Sequence, residues 1–301
     1  MPTATNIEWA DLTINPTRGC SHCSPGCDNC YAERFAARLA RNPQTAHAYA
    51  GLVDANGKWT GKVSEQDLSI FDRLPKTPKR IFIGSMTDLF FSGVNDTPRQ
   101  DVTLVDGGEV EFAPDTMHVR IAMLTLHIQK HHQHTFMMLT KRPENMETVM
   151  PLMLKRPLPN LWLGVTICNR HELWKLDFLR ETPAALRFVS FEPLLSDLGT
   201  VDLSGIGWVI CGGETGLGAR PMSPDWVRSL RDQCQDVGVP FFFKSWGEWF
   251  PCLPSCCGPS GYAEPVHIWD AKIWSHRTGK KRAGRLLDGR EYSETPEDRH
   301  D

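Results

Sequence analysis

The sequence predicts an α/β fold in which parallel strands form a complete or partial (β/α) TIM-like barrel with insertions at the rim. Two observations support this. Along residues 12–243, about seven short apolar runs alternate with helical patterns, and a repeated strand–helix–strand order favours parallel strands joined by right-handed crossovers. The runs are apolar throughout, as in Ile81-Phe82-Ile83, which is typical of parallel strands that are buried on both faces.

Each element has its own signal in the chain. The first strand, Leu12-Thr13-Ile14, is stopped by Pro16, and the first helix, 31–41, is indicated by Phe35 and Leu39 four residues apart. The same patterns predict further strands at 81–85, 136–139, 161–167, 186–191, 208–211 and 241–243, and further helices at 117–129, 144–154, 171–180 and 224–237.

The predicted barrel occupies residues 1–250 and is interrupted by insertions at about 43–78 and about 95–115. The first insertion carries an Asn56-Gly57 turn, and the second is expected to form a small hairpin around Gly107-Gly108. Residues 251–301 are predicted to be an appended segment, rich in Pro, Cys and Gly at first and then highly charged. Its end, from Glu291, is predicted to be disordered.

Composition restricts the class of protein. The chain has 301 residues, 41% of them apolar, a formal net charge of -3 and ten cysteines. No run approaches the ~18 apolar residues of a membrane span, and the N-terminus lacks a basic region followed by an apolar core. We therefore expect a cytoplasmic protein with no membrane partner, whose cysteines serve metal chemistry in a reducing compartment. Binding of nucleic acid would need a local basic patch.

Four cysteines lie within eleven residues between the first strand and the first helix: Cys20, Cys23, Cys27 and Cys30. Turn residues keep this loop near solvent, so its thiols are poor candidates for burial as small apolar groups, and dense thiols usually bind a metal. Read from Cys23, the spacing is C-x3-C-x2-C, which leaves one iron of a four-iron cluster open. Read from Cys20, it is C-x6-C-x2-C, with Cys23 as a spare or fourth ligand.

Other uses of these thiols stay open. Two C-x2-C zinc knuckles are normally a dozen or more residues apart, whereas three residues separate them here. The bacterial ferredoxin run has a different order of gaps. A disulfide pair has no support from a secretory signal. The spacing favours an iron–sulfur cluster over four-cysteine zinc.

The loop, with Tyr31 beside its last cysteine, resembles that of the radical S-adenosylmethionine enzymes. Residues 9–33 resemble more closely a phage and prophage three-Cys-motif family of unresolved function. The resemblance continues through Gly84-Ser85-Met86-Thr87-Asp88-Leu89-Phe90, Leu139-Thr140-Lys141-Arg142-Pro143, Glu192-Pro193-Leu194, Gly212-Gly213-Glu214 and Lys244-Ser245-Trp246-Gly247. In that family the ligand triad matches Cys20, Cys27 and Cys30, with an apolar residue where this chain has Cys23. The third ligand is therefore open between Cys20 and Cys23.

This resemblance implies a [4Fe-4S] cluster and S-adenosylmethionine as cofactors. Functional groups of a parallel barrel collect at the carboxyl ends of its strands, and a cluster-bound S-adenosylmethionine presents an amino group, a carboxylate, a sulfonium and a ribose. Asp88, Glu192 and Glu214 suit the amino group, ribose or sulfonium; Thr166 and Asn169 suit the ribose or carboxylate; and Arg142 or Lys141 suits the carboxylate. The full predicted set is Ser85, Asp88, Arg142, Thr166, Asn169, Glu192, Gly212, Gly213 and Glu214. Gly212-Gly213-Glu214 resembles a radical-enzyme segment but comes much later in the chain.

The favoured function is an iron–sulfur enzyme that reductively cleaves S-adenosylmethionine to start radical chemistry, with an electron-donor protein as partner. A nucleic acid, undergoing modification or repair, is the favoured substrate class. The alternatives are a non-catalytic phage protein that binds nucleic acid and is stabilised by zinc or iron–sulfur, and a barrel hydrolase using Glu192 and Glu214. The basic run 276–285 suits phosphate contacts or a solvated hairpin equally. Cys252, Cys256 and Cys257 give a weaker signal for a second metal.

Overall fold

The computed structural model describes residues 3–5, 7–92, 102–103, 109–110, 116–252 and 265–298. The chain divides into two compact units. Unit 1 comprises Met1–Cys23, Cys30–Val165 and Lys175–Arg187, and unit 2 comprises Ser24–Asn29, Thr166–Trp174 and Phe188–Asp301. Within the described part of the chain, no helix has the length and apolar character needed to cross a bilayer.

Unit 1 contains most of the helices. Its strands are β1 (Thr3–Ala4), β2 (Leu12–Ile14), β3 (Thr17–Arg18), β4 (Ser64–Glu65), β5 (Arg80–Ile83), β6 (Val102–Thr103), β7 (Glu109–Val110), β8 (Thr135–Thr140) and β9 (Leu161–Thr166). Its helices are α1 (Tyr31–Arg41), α2 (Ala46–Tyr49), α3 (Thr116–Lys130), α4 (Pro143–Met153) and α5 (Lys175–Glu181). The main sheet has the order β1-β2-β5-β8-β9, in which β1 is antiparallel to β2 and the other pairs are parallel.

Unit 2 contains a parallel sheet and a smaller antiparallel one. Its elements are β10 (Leu186–Phe191, which enters this unit at Phe188), β11 (Trp208–Gly212), α6 (Pro224–Asp236), β12 (Phe241–Ser245), β13 (Trp249–Cys252), β14 (Val266–Ile268), β15 (Trp274–Arg277) and α7 (Lys280–Ala283). Strands β10, β11 and β12 pair in parallel in that order. Strands β13, β15 and β14 form the antiparallel sheet.

The parallel strands confirm the predicted fold class. Four of them, β2, β5, β8 and β9, lie in unit 1, three lie in unit 2, and neighbours in each sheet follow chain order with helices between most of them. Every residue of β9 and of β11 is buried, as expected for parallel strands that are covered on both faces. The topology is therefore that of a partial (β/α) barrel.

One predicted helix differs from the structure. The stretch 171–180 is broken into a 3-10 turn, Arg170–Glu172, and helix α5. The Glu172 carboxylate accepts a hydrogen bond of 2.8 Å from the Cys168 backbone N–H. A local side-chain bond of this kind competes with helical pairing and favours a turn.

The insertions and the C-terminal end also bear on the prediction. The first insertion holds α2, β4 and the 3-10 helix Leu68–Arg73. Most of the second lies outside the described residues, although β6 and β7 pair antiparallel within it.

Residues 291–298 begin the segment that is predicted to be disordered, and several of their groups accept hydrogen bonds from strands of unit 2. Phe243 N–H donates to the Tyr292 carbonyl at 2.9 Å, and Trp208 Nε1 donates to the Glu294 carbonyl at 2.8 Å. Phe241 N–H donates to the Glu294 carboxylate at 3.0 Å. The segment therefore supplies acceptors for backbone N–H groups of β12 that β11 does not pair, and such edge groups favour an added partner. The high charge of this segment gave no sign of these hydrogen bonds.

Candidate metal and cofactor site

The cysteine loop begins after β2, at the carboxyl end of the first parallel strand, and ends where α1 begins at Tyr31. None of its four cysteines is in a disulfide; Cys23 is exposed and Cys27 is buried. Cys20, Cys23 and Cys30 belong to unit 1 and Cys27 to unit 2. In the described part of the chain, no three His, Cys, Asp or Glu side chains are grouped to hold one metal ion.

In unit 1, the segment after β5 supports the beginning of this loop. The Asn15 side-chain oxygen accepts hydrogen bonds from Ser85 Oγ at 3.1 Å and from the next backbone N–H at 3.0 Å. Thr87 Oγ1 donates to the Gly19 carbonyl at 2.6 Å. The Tyr31 hydroxyl donates to the Ser85 carbonyl at 2.6 Å. Ser85, predicted to contact the cofactor, thus also ties both ends of the loop to β5.

Asp88 is a buried anchor in unit 1. Its Oδ1 accepts hydrogen bonds from Phe90 N–H at 3.1 Å and Thr140 Oγ1 at 2.6 Å. Its Oδ2 accepts from Lys141 N–H at 2.9 Å and from Arg142 Nη1 at 3.2 Å. Four donors on a buried carboxylate satisfy it within the protein, so Asp88 fixes the turn after β8 and the direction of Arg142.

Arg142 lies against the cysteine loop. Its Nη2 donates to the carbonyl and to the hydroxyl of Ser21, both at 2.9 Å, and its Nη1 lies 4.0 Å from Cys20 Sγ. Burial opposes the positive charge, but Asp88 and then the thiols of Cys23 and Cys20 outweigh it and raise the pKa of Arg142 above its ordinary value. A buried cation that faces thiols favours their thiolate form, which is the form that binds metals.

Glu33 on α1 connects the loop to the first insertion. His22 Nε2 lies 2.9 Å from Glu33 Oε1, which also accepts from Trp59 N–H at 2.9 Å. Lys58 Nζ donates to Glu33 Oε2 at 2.9 Å. Burial alone would raise the pKa of Glu33, but the bonds from Trp59, Lys58 and His22 hold it below its ordinary value. Glu33 is therefore an ionised anchor for the stretch between Cys20 and Cys23.

In unit 2, Glu214 is a similar anchor for the second half of the loop. Asn29 Nδ2 donates to Glu214 Oε2 at 3.0 Å and to the Gly218 carbonyl at 2.7 Å. Arg220 donates to both carboxylate oxygens, through Nη2 at 2.6 Å and Nε at 2.9 Å, and through its backbone N–H at 2.8 Å. Burial would raise the pKa of Glu214, but the bonds from Arg220 and Asn29 lower it.

Arg220 also contacts the loop directly. Its Nη2 donates to the Pro25 carbonyl at 2.8 Å, and its Nη1 lies 3.2 Å from Asp28 Oδ2. These contacts bracket the buried thiol of Cys27, which lies in the 3-10 turn Pro25–Cys27. Glu214 and Arg220 together hold the backbone of this turn.

A different pair lies at the carboxyl ends of β10, β11 and β12. Lys244 Nζ forms an ion pair with Glu192 Oε1, and the two side chains are only 16% and 21% exposed. A Cβ atom at Gly212 would lie 3.4 Å from both Glu192 Cδ and Lys244 Cβ. Three predicted or adjacent site residues are therefore brought together here. Within the described residues, Lys244 is the one partner that hydrogen-bonds this carboxylate.

Gly213 has a packing reason to be glycine. A Cβ atom there would lie 2.2 Å from the Trp246 carbonyl oxygen, a distance that no side chain tolerates. Gly213 N–H donates to the Ser245 carbonyl at 2.9 Å. The close approach of two backbone segments thus accounts for this glycine without a cofactor.

The segment after β9 carries the two remaining predicted residues. Thr166 is buried, and Asn169 is half-buried. Asn169 Oδ1 is a buried acceptor with no hydrogen-bond donor among the described residues. Such atoms normally have a partner, so Asn169 has the capacity to accept a hydrogen bond from a ligand.

The sequence missed several residues of these clusters. Arg220 and Asn29 follow no apolar strand, and Glu33 sits within an amphipathic helix, so strand-end reasoning passes over all three. For two of them the sequence did offer a signal, namely their position, because Asn29 and Glu33 lie on either side of the last cysteine of the loop. The structure gives no support for the predicted second metal site, because Cys252 is disulfide-bonded. Cys256 and Cys257 lie outside the described residues.

Comparison with known proteins places the chain in a family. A variant of spore photoproduct lyase is similar over 94% of this chain and 72% of that protein, at 8% sequence identity and a TM-score of 0.42. A likeness at that level carries no argument about function. No curated protein matches the chain significantly. Residues 4–107 and 111–296 match the family described as protein of unknown function (DUF5131), and the chain belongs to that family.

Proposed function

We propose that this chain is an iron–sulfur enzyme of the radical S-adenosylmethionine type. The observation that carries the proposal is the position of Arg142. A buried guanidinium, fixed by Asp88, faces Cys20 Sγ at 4.0 Å and bonds Ser21. Asp88 pairs with the guanidinium on one side, and on its other side the cation faces a thiol, where it favours the thiolate form that binds metals.

The loop fits a cluster in its donor chemistry. The four thiols form no disulfide and lie on one eleven-residue segment. This segment is anchored at His22 by Glu33, and at Pro25 and Asn29 by Arg220 and Glu214. Cys27 and Cys30, with Cys20 or Cys23, would hold the cluster. When bound, the cluster and S-adenosylmethionine supply the one-electron chemistry that side chains lack.

The chain's own residues would bind and orient S-adenosylmethionine and exclude water from it. Glu192 is the carboxylate best suited to the amino group of S-adenosylmethionine, because among the described residues only its Oε1 accepts a hydrogen bond, from Lys244. Asn169 offers its buried acceptor to a ribose hydroxyl. Asp88 and Glu214 act on the loop, since their oxygens already accept several internal bonds. Ser85, Arg142, Thr166, Gly212 and Gly213 stay predicted contacts.

The metal is tested first. Protein that is purified anaerobically and reconstituted with iron and sulfide should be brown and contain about four iron per chain. Cys27→Ala and Cys30→Ala should abolish this iron. Stoichiometric zinc that resists replacement by iron would reject the cluster and favour the zinc-stabilised alternative.

The third ligand is tested by two matched variants. The family resemblance predicts that Cys23→Ala keeps the cluster and that Cys20→Ala loses it. The contact of Arg142 with Cys20 favours the same outcome. The local C-x3-C-x2-C spacing predicts the reverse. Loss in both variants would mean that all four thiols bind, which closes the open iron and removes the basis for cofactor binding there.

Catalysis is tested with dithionite in place of the electron-donor protein. The reduced, loaded protein should cleave S-adenosylmethionine to 5′-deoxyadenosine, even slowly and without a substrate. A fully loaded protein that does not bind S-adenosylmethionine would contradict the enzyme assignment. The predicted phage relationship and nucleic-acid substrate are separate proposals and do not depend on this measurement.

A further inference from the structure

A basic groove lies on the outer face of α1 in unit 1. Its volume is about 430 Å³, and its lining residues are Glu33, Arg34, Ala37, Arg38, Arg41, Asn56, Gly57 and Lys58. Arg34, Arg38 and Arg41 are spaced four and three residues apart, which places them on one face of a helix. Neither the cysteine loop nor the predicted cofactor residues line this groove.

The charge of the groove is strongly positive. Its one lining carboxylate, Glu33, is 2% exposed and forms an ion pair with Lys58. The three arginines therefore dominate the field that an incoming ligand meets. Arg38 and Arg41 are exposed, so an anion reaches them without displacing protein groups from the core.

The opposite wall is a fixed turn. Asp54 Oδ1 accepts from Asn56 N–H at 2.9 Å and from Lys58 N–H at 2.8 Å. Gly57 has φ +78°, and a Cβ there would lie 2.9 Å from Ala37 Cβ. Only glycine adopts this conformation so close to the helix without strain. The groove is thus shaped by a turn packed on α1.

Aromatic side chains accompany the arginines along α1. Phe35 and Tyr31, four residues apart, are 39% and 52% exposed. The Arg38 guanidinium carbon lies 4.8 Å from the centre of the Phe35 ring, which orients this cation. Proteins that bind single-stranded nucleic acid combine a basic groove for the backbone with aromatic rings on which bases stack.

We propose that the outer face of α1, with the Asn56-Gly57 turn, binds the phosphate backbone of single-stranded nucleic acid. The other basic stretch, 276–285, is less suited, since arginines within it donate to backbone carbonyls of the protein. Arg277 donates to the Gly216 carbonyl at 2.9 Å, and Arg282 donates to the Thr278 carbonyl at 2.8 Å. The α1 groove does not require a cluster, so the proposal stands or fails separately from the enzymatic one.

The test uses metal-free full-length protein and a fluorescent oligodeoxythymidine of about 20 nucleotides. Binding is followed by anisotropy from about 50 to 200 mM salt. Engagement of the three arginines predicts a slope of log K against log salt of about -2, because each single-strand contact contributes about -0.7. Arg38→Gln with Arg41→Gln should weaken binding about tenfold at low salt and reduce the slope by about 1.4 units.

Matched variants locate the site. Arg156 is exposed on the loop after α4 in the same unit, and Arg156→Gln should change neither affinity nor slope. Phe35→Ala should weaken the oligonucleotide about tenfold through lost stacking while leaving the slope unchanged. A duplex should bind more weakly than the single strand, and inorganic phosphate should compete only at much higher concentration.

Four results would overturn the proposal. The first is no oligonucleotide binding at low salt by folded protein. The second is full binding by the Arg38/Arg41 double variant whose circular dichroism matches the wild type. The third is loss of binding on replacing Lys281 and Arg282 by Gln instead, which would move the site to the C-terminal basic stretch. Preference for the duplex would also reject the single-stranded class.

Discussion

The two halves of the cysteine loop are anchored by acid–arginine pairs that are built differently. In unit 1, the Arg142 and Asp88 side chains are 10% and 8% exposed. In unit 2, Glu214 is 4% exposed but Arg220 is 35% exposed. Arg142 reaches the hydroxyl of Ser21 and approaches the thiol of Cys20, whereas Arg220 reaches the carbonyl of a proline.

This difference separates an electrostatic role from a mechanical one. A guanidinium in a poorly solvated site acts strongly on charges nearby, and a partly exposed one is screened by water. We infer that Arg142 sets the charge around Cys20 and Cys23, while Arg220 mainly fixes the conformation of residues 25–28. Asp88 supports this division, because it fixes the guanidinium that faces Cys20.

The largest effect is expected from breaking the buried pair. Arg142→Gln leaves the Asp88 carboxylate buried without its cation, and such a loss costs about 3 kcal/mol. Urea unfolding should show this destabilisation, and iron loading under reconstitution should fall. Arg142→Lys retains the charge but not the fork that bonds Asp88 through Nη1 and Ser21 through Nη2, so it should recover loading only in part. Wild-type stability and iron content in Arg142→Gln would contradict the electrostatic role.

A smaller effect is expected from the second pair. Arg220→Gln removes contacts with Glu214, Pro25 and Asp28, and because Arg220 is partly solvated the cost should be about 1 to 2 kcal/mol. The buried Cys27 thiol of the metal-free protein should then react faster with a thiol reagent, as its turn loosens. Buried Cys234, in α6, is the internal control. Equal rates for Cys27 in the variant and the wild type would show that Arg220 does not hold the turn.

Measurements of cofactor binding distinguish a carboxylate that contacts the cofactor from one that holds the loop. Glu192→Gln should leave iron content unchanged and weaken S-adenosylmethionine binding about tenfold, the equivalent of one hydrogen bond to a charged group. Glu214→Gln should lower iron content before any effect on the cofactor is seen. Equilibrium binding and iron analysis on the same preparations distinguish them. The opposite pattern would exchange the roles of the two carboxylates.

The sequence predicted strands and helices well because periodicity and chain breaks decide them locally. Strand β10 and helix α1 begin and end as predicted. The hydrogen bonds of Tyr292 and Glu294 with β12 were not predictable, because these acceptors come from far along the chain. Local charge gives no sign of that pairing.

The site was predictable in its residue types and only partly in their roles. Asp88 and Glu214 follow apolar strands as catalytic groups do, yet each accepts several internal hydrogen bonds. Such saturation depends on partners such as Thr140 and Arg220, which are 52 and 6 residues away. Spacing alone does not distinguish a carboxylate that awaits a ligand from one that holds a loop.

The smallest effect concerns pH. The pKa of Glu214 is lowered because the bonds from Arg220 and Asn29 outweigh burial, so its contribution to stability is present above its unfolded pKa of about 4.3 and is lost as pH falls through the folded value. Wild-type protein should therefore lose more unfolding free energy between neutral pH and about pH 3.5 than Glu214→Gln does. Urea midpoints at the two pH values measure this difference. Glu33 has a lowered pKa as well, so the variant should retain part of the acid dependence, and removal of all of it would assign the whole effect to the unit 2 anchor.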